Sequence, residues 1–130
     1  MEKIRVFLAA ALLGFCLIGC AAMMGLPQGS VLVGDYQGPF NGKFFEGTIE
    51  VQVYEAPGGS RPVFGRLHQL AEEGFIDFRG QVTGNRMDAQ FTMADGTVTG
   101  ELSADGRTMS GSYKLTDWPF DRGTWTATKR

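Results

Sequence analysis

The sequence predicts an all-β domain of about eight antiparallel strands, running up and down into a barrel or closed meander. Three observations predict it. Apolar and polar residues alternate with period two in segment after segment, the mark of half-buried strands. Short Gly-, Asp- and Asn-containing turns separate those segments. Beyond the first twenty residues no stretch carries a helical period; Gln69 to Glu73 has room for a single helical turn.

The N-terminal residues are an element of their own. Lys3 and Arg5 form a short basic start, and Val6 to Ile18 is almost wholly apolar. Such a run is short for a membrane span and suits the hydrophobic part of a cleaved, helical signal peptide. It ends in Leu17-Ile18-Gly19-Cys20, which resembles the lipobox of bacterial lipoproteins. The resemblance implies a signal peptide over 1–19, with Cys20 as the mature first residue, acylated on its sulfur and its amine. Ala21 follows the cysteine. By analogy with enterobacterial sorting, the absence of Asp there implies the outer membrane, facing the periplasm. Two or more acyl chains anchor a protein stably. The alternative is an uncleaved N-terminal anchor.

Residues 20–30 read as a lipidated tether, and 31–130 as a single domain. Six strands are clear. Phe45, Gly47, Ile49, Val51 and Val53 share one face. Ile76, Phe78, Gly80 and Val82 follow, then Met87, Ala89, Phe91 and Met93. The last three faces are Val98-Gly100-Leu102, Met109-Gly111-Tyr113-Leu115 and Gly123-Trp125-Ala127. Two weaker strands cover Val31 to Gly38 and Arg61 to Leu67. Thr83-Gly84-Asn85, Ala94-Asp95-Gly96 and Ala104-Asp105-Gly106 read as hairpin turns, in which Gly supplies positive φ and Asp bonds its own backbone. Connections this short join antiparallel neighbours.

Gly47, Gly65, Gly80, Gly100, Gly111 and Gly123 fall mid-strand on the inward face. Glycine weakens a strand, so compensation is expected. It lets a sheet bend at barrel corners, and closure removes exposed edges. Either the glycines permit tight coiling around a solid core, or they leave room for a ligand. In outline the pattern resembles the barrels of lipocalins and fatty-acid-binding proteins, a likeness of architecture.

Composition narrows function. Cys16 leaves with the signal and Cys20 is modified, so the domain carries no disulfide. Removing Glu2, Lys3 and Arg5 leaves ten Lys and Arg against thirteen Asp and Glu, interspersed. Nucleic-acid binding calls for clustered Lys and Arg and is not expected. The one histidine and the lack of a cysteine ligand argue against zinc. No catalytic motif, cofactor site or catalytic residue is assigned.

An up-and-down order would gather Pro39 to Lys43, His68 to Gly74, Ala94 to Gly96 and Thr116 to Arg122 at one end, away from the tether. That end collects Phe40, Asn41, His68, Glu72, Glu73, Asp117, Trp118, Phe120 and Asp121. Trp118-Pro119-Phe120 reads as a lid over the barrel mouth or as an exposed partner anchor. His68 reads as a surface residue rather than a base. The acids read as solvated loop residues, with an acid/base pair of the glycosidase kind as the alternative. The candidate binding residues are Phe40, His68, Trp118, Phe120 and, on the last strand, Trp125. Two functions follow. One is a membrane-anchored, non-enzymatic envelope module that binds a small apolar ligand within the barrel. The other is an interaction, structural or inhibitor protein that engages an envelope or external protein through its distal loops.

Overall fold

A computed structural model describes residues 25–69, 74–117 and 120–130. The expected signal peptide, Cys20, the start of the tether, the helical turn after Gln69, Glu72, Glu73, Trp118 and Pro119 lie outside the described residues.

Eight antiparallel strands follow one another around a closed barrel. They are β1 (Val31–Gly42), β2 (Glu46–Glu55), β3 (Arg61–Gln69), β4 (Phe75–Thr83), β5 (Arg86–Phe91), β6 (Gly96–Leu102), β7 (Thr108–Leu115) and β8 (Asp121–Lys129). Each pairs with its neighbour in sequence. β1 closes on β8 through pairs from Tyr36↔Lys129 to Gly42↔Gly123, which removes the unpaired edges of an open sheet. The two weaker strands are longer than the alternation suggested. β1 continues past Pro39 because its outward partner there is Thr48, and β3 runs on to Gln69. Met93 departs from the expected inward row. β5 stops at Phe91, and Met93 stands in the following turn.

The inward row is the core: Phe40, Ile49, Val51, Val63, Phe78, Met87, Val98, Met109, Trp125 and Ala127 are all nearly inaccessible to water. The mid-strand glycines are explained by what lies against them: the backbone of the adjacent strand at Gly47, Gly80, Gly111 and Gly123, and a ring at Gly65 and Gly100. A Cβ added to Gly65 would meet the Phe78 ring at 2.2 Å, and one on Gly100 would meet the Trp125 ring at 2.7 Å. Trp125 reaches Gly100 by lying across β7, where its pairing partner is Gly111. Large rings thus fill the space over Gly65 and Gly100, and at the other four glycines the strand backbones draw close. Phe40 meets Tyr113 edge to face at 5.6 Å, and Phe78 meets Phe91 likewise at 6.1 Å.

Strict alternation of direction gives the barrel two distinct ends. The base holds the start of β1 and the connections after β2, β4 and β6. There the Tyr36 hydroxyl donates to the Gly106 carbonyl at 2.8 Å. The rim holds the connections after β1, β3, β5 and β7. Backbone bonds knit the rim: Lys43 N–H to Arg122 O, Thr92 N–H to Asp77 O and Thr116 N–H to Asp95 O, at 2.9–3.0 Å.

Candidate functional site

The rim is the end at which the sequence expected its binding residues to gather, and the strand order brings together those that are described. Its four connections differ from those of the base in one respect. A large apolar side chain turned to solvent stands in three of them and beside the fourth: Phe44 after β1, Met93 after β5 and Phe120 before β8, with Phe75 as the first residue of β4. Their exposures are 67, 54, 89 and 57%. The base connections, 56–60, 84–85 and 103–107, are built from Gly, Pro, Ala, Ser, Asn, Asp and Arg. Singly exposed apolar residues are common; one at or beside every connection of one end is a patterned apolar surface.

Phe44 and Phe75 each carry a cation. The Lys43 ammonium lies 5.6 Å from the Phe44 centroid, and the Arg66 guanidinium 4.1 Å from that of Phe75. Arg66 is also bonded to the Asp77 carboxylate at 3.1 Å, which fixes it over the ring. The His68 imidazole packs against the other side of this cluster, 5.9 Å from Phe75, with Nε2 3.9 Å from a Glu50 carboxylate oxygen. His68 is therefore an outward strand residue next to the rim, as expected for a surface histidine.

Asp121 was expected as a solvated loop acid, and the structure corrects this. It is the first residue of β8, only 5% exposed, and it faces inward. Its two oxygens have separate donors. The Tyr113 hydroxyl donates to one at 2.6 Å, and the Phe44 N–H donates to the other at 2.9 Å. A side chain at Gly42 would occupy the space these groups use, so glycine is required there. Burial, followed by the bond to Asp121 and its charge, pushes the Tyr113 hydroxyl far above the usual tyrosine range. The carboxylate thus ties β7, β8 and the Phe44 connection together, and its chemistry is that of a structural latch. Running the inward period of Trp125 and Gly123 back two residues reaches Asp121, the signal that could have found it.

The remaining candidates divide. Phe120 is on the exposed rim. Phe40 and Trp125 belong to the core, where the Trp125 Nε1–H donates to the Ser112 carbonyl at 3.3 Å. Beneath the rim, Phe40, Phe45, Leu67, Ile76, Tyr113 and Leu115 line an apolar gap of about 10 Å³. That is about the volume of one water molecule, against several hundred cubic ångströms for a ligand pocket. Among the described residues no three His, Cys, Asp or Glu side chains gather as a metal site.

A scan against protein-family models and a search of curated proteins both find no match to the chain.

Proposed function

We propose that this protein is a lipid-anchored envelope module that works through its outside, not its interior. The barrel is held to the membrane by an acylated Cys20 and presents its rim to a protein partner. One observation carries the reading: an exposed apolar side chain stands at or beside each rim connection, while the gap beneath them, among the described residues, is about 10 Å³. Aromatic and Met side chains are favoured anchors at protein interfaces. Rim charge adds a preference. Around these connections the sequence places Glu46, Glu72, Glu73, Asp95 and Asp117 against Lys43 and Arg122. Such a rim fits a partner patch that is apolar at its centre and basic at its edge. The reading involves no catalysis and no cofactor.

The small-ligand alternative needs a cavity, and the rings that lie over Gly65 and Gly100 favour the surface reading over it. The test is site-specific photo-crosslinking in the intact envelope, with the reactive group at Met93 or, as control, at Asn85 on the base. A discrete adduct from position 93 and none from 85 supports the rim as the binding end. Equal labelling from both ends contradicts it.

A further inference from the structure

Among the described residues, the three other large apolar side chains that are exposed stand together at the base. Val31, Leu32 and Val33 are 61, 46 and 39% exposed. Three in a row is contrary to a strand's alternation. Its cause is an irregularity in the β1–β2 register, where Leu32 pairs with Tyr54 and Gly34 with Val53, so Val33 has no place in the ladder. Register partners share a face, so Leu32 and Tyr54 lie side by side on the outer wall. The Tyr54 ring meets the Phe64 ring at 5.9 Å, and the Arg79 guanidinium lies 5.5 Å from the Phe64 centroid. The result is an apolar corner that crosses three strands, ends in tyrosine and phenylalanine, and carries an arginine at its margin and the acid Glu55 beside Val31, its register partner.

The chain upstream of β1 leads along this same corner. A Cβ on Gly29 would sit 3.1 Å from Pro57, and one on Gly25 would sit 3.7 Å from Arg79. From Gly25 only five residues lead back to Cys20, about 18 Å at full extension.

We propose that the Val31–Val33 corner is a lipid-contact surface that rests on the bilayer holding Cys20. This rests on the lipid-anchor reading and adds to it a fixed posture. An acyl anchor alone sets a distance from the membrane. A second contact beside it sets an orientation, with base against bilayer and rim outward. The composition suits an interface: short apolar side chains to enter the headgroup boundary, an aromatic hydroxyl beside them, and an arginine whose stem can lie along apolar surface while its charge stays wet.

The test uses the full acylated lipoprotein in vesicles of phosphatidylethanolamine and phosphatidylglycerol. The sequence after Cys20 has no other cysteine, so Leu32→Cys, Val31→Cys and, on the rim, Met93→Cys each give a single thiol for a fluorophore. Vesicles doped with lipids bearing a nitroxide on the acyl chain then report contact. Seated about 5–10 Å into the headgroup boundary, labels at 31 and 32 lose about half their emission, and the label at 93 is unchanged. Intact mass separates the failures. Acylated protein with positions 31 and 32 unquenched overturns the lipid contact alone, and covalent capture of a second copy through them would assign the corner to a dimer. Protein with no acyl groups overturns the anchor reading and the contact together.

Discussion

The Tyr113 hydroxyl donates to the Asp121 carboxylate across 2.6 Å, at the point where the barrel wall meets the rim. The other oxygen of Asp121 holds the Phe44 N–H at 2.9 Å, so one buried charge governs both the closing strand and the connection that displays Phe44. A carboxylate removed from water needs such donors, and each donor in turn needs the carboxylate.

Asp121→Ala should therefore destabilise the domain. Each donor left unpaired in a dry site costs about 1–3 kcal/mol. Chemical denaturation would read the loss. Hydrogen exchange would place it, with the Phe44 amide gaining the most while amides at the base barely change.

All three tyrosines, Tyr36, Tyr54 and Tyr113, have hydroxyls pushed above their usual range, chiefly by burial. The folded state then keeps protons that the unfolded chain releases near pH 10. Stability is fully present below that pH and is lost as pH rises above it, chiefly through Tyr113, whose hydroxyl is raised far beyond the usual range. The urea midpoint should decline from pH 10 upward, and Tyr113→Phe should make the decline shallower. An equal slope in the variant would place the alkaline loss elsewhere.

Gly100→Ala should be costly because its Cβ would enter the Trp125 ring. Overpacking of this kind typically costs about 1–3 kcal/mol. Gly74, with open space around it, should accept alanine without loss. Trp125→Ala should cost about 3–5 kcal/mol, since it empties the space over Gly100. Thermal melts of the three variants give that ranking or refute the packed-ring account.

The joint change Phe44→Ser and Phe120→Ser, made with the reactive group kept at position 93, removes exposed apolar surface and leaves the core intact. Stability should stay within about 0.5 kcal/mol of the parent for each site, while the rim crosslink disappears. Unfolding of this variant would show the rim to be part of the core.

Much of this was legible in the sequence. Period-two alternation identified all eight strands, and the short turns made them antiparallel, because a side-chain period and a tight connection are local properties. Closure was signalled by the inward glycines, yet their purpose was not. Whether Gly100 faces a void or a ring depends on Trp125 two strands away, a relation that no local pattern carries. Asp121 was misread for a similar reason. Its partners, Tyr113 and the Phe44 amide, come together only when β8 closes against β7 and β1. Met93 shows the opposite error, in which the alternation was continued one step beyond the end of its strand. Phe120 was expected at the rim and stands there, while Phe44 and Phe75 were passed over because a single apolar residue at or beside a loop has no meaning until the loops are seen to share an end.

The central claim is that the barrel is solid and acts by its surface. Native mass spectrometry of residues 21–130, purified gently from the envelope compartment, tests it most directly. The account predicts the bare polypeptide mass, unchanged on denaturation. An apolar adduct carried by the folded domain and lost on unfolding would contradict it, and would return the function to the interior of the barrel.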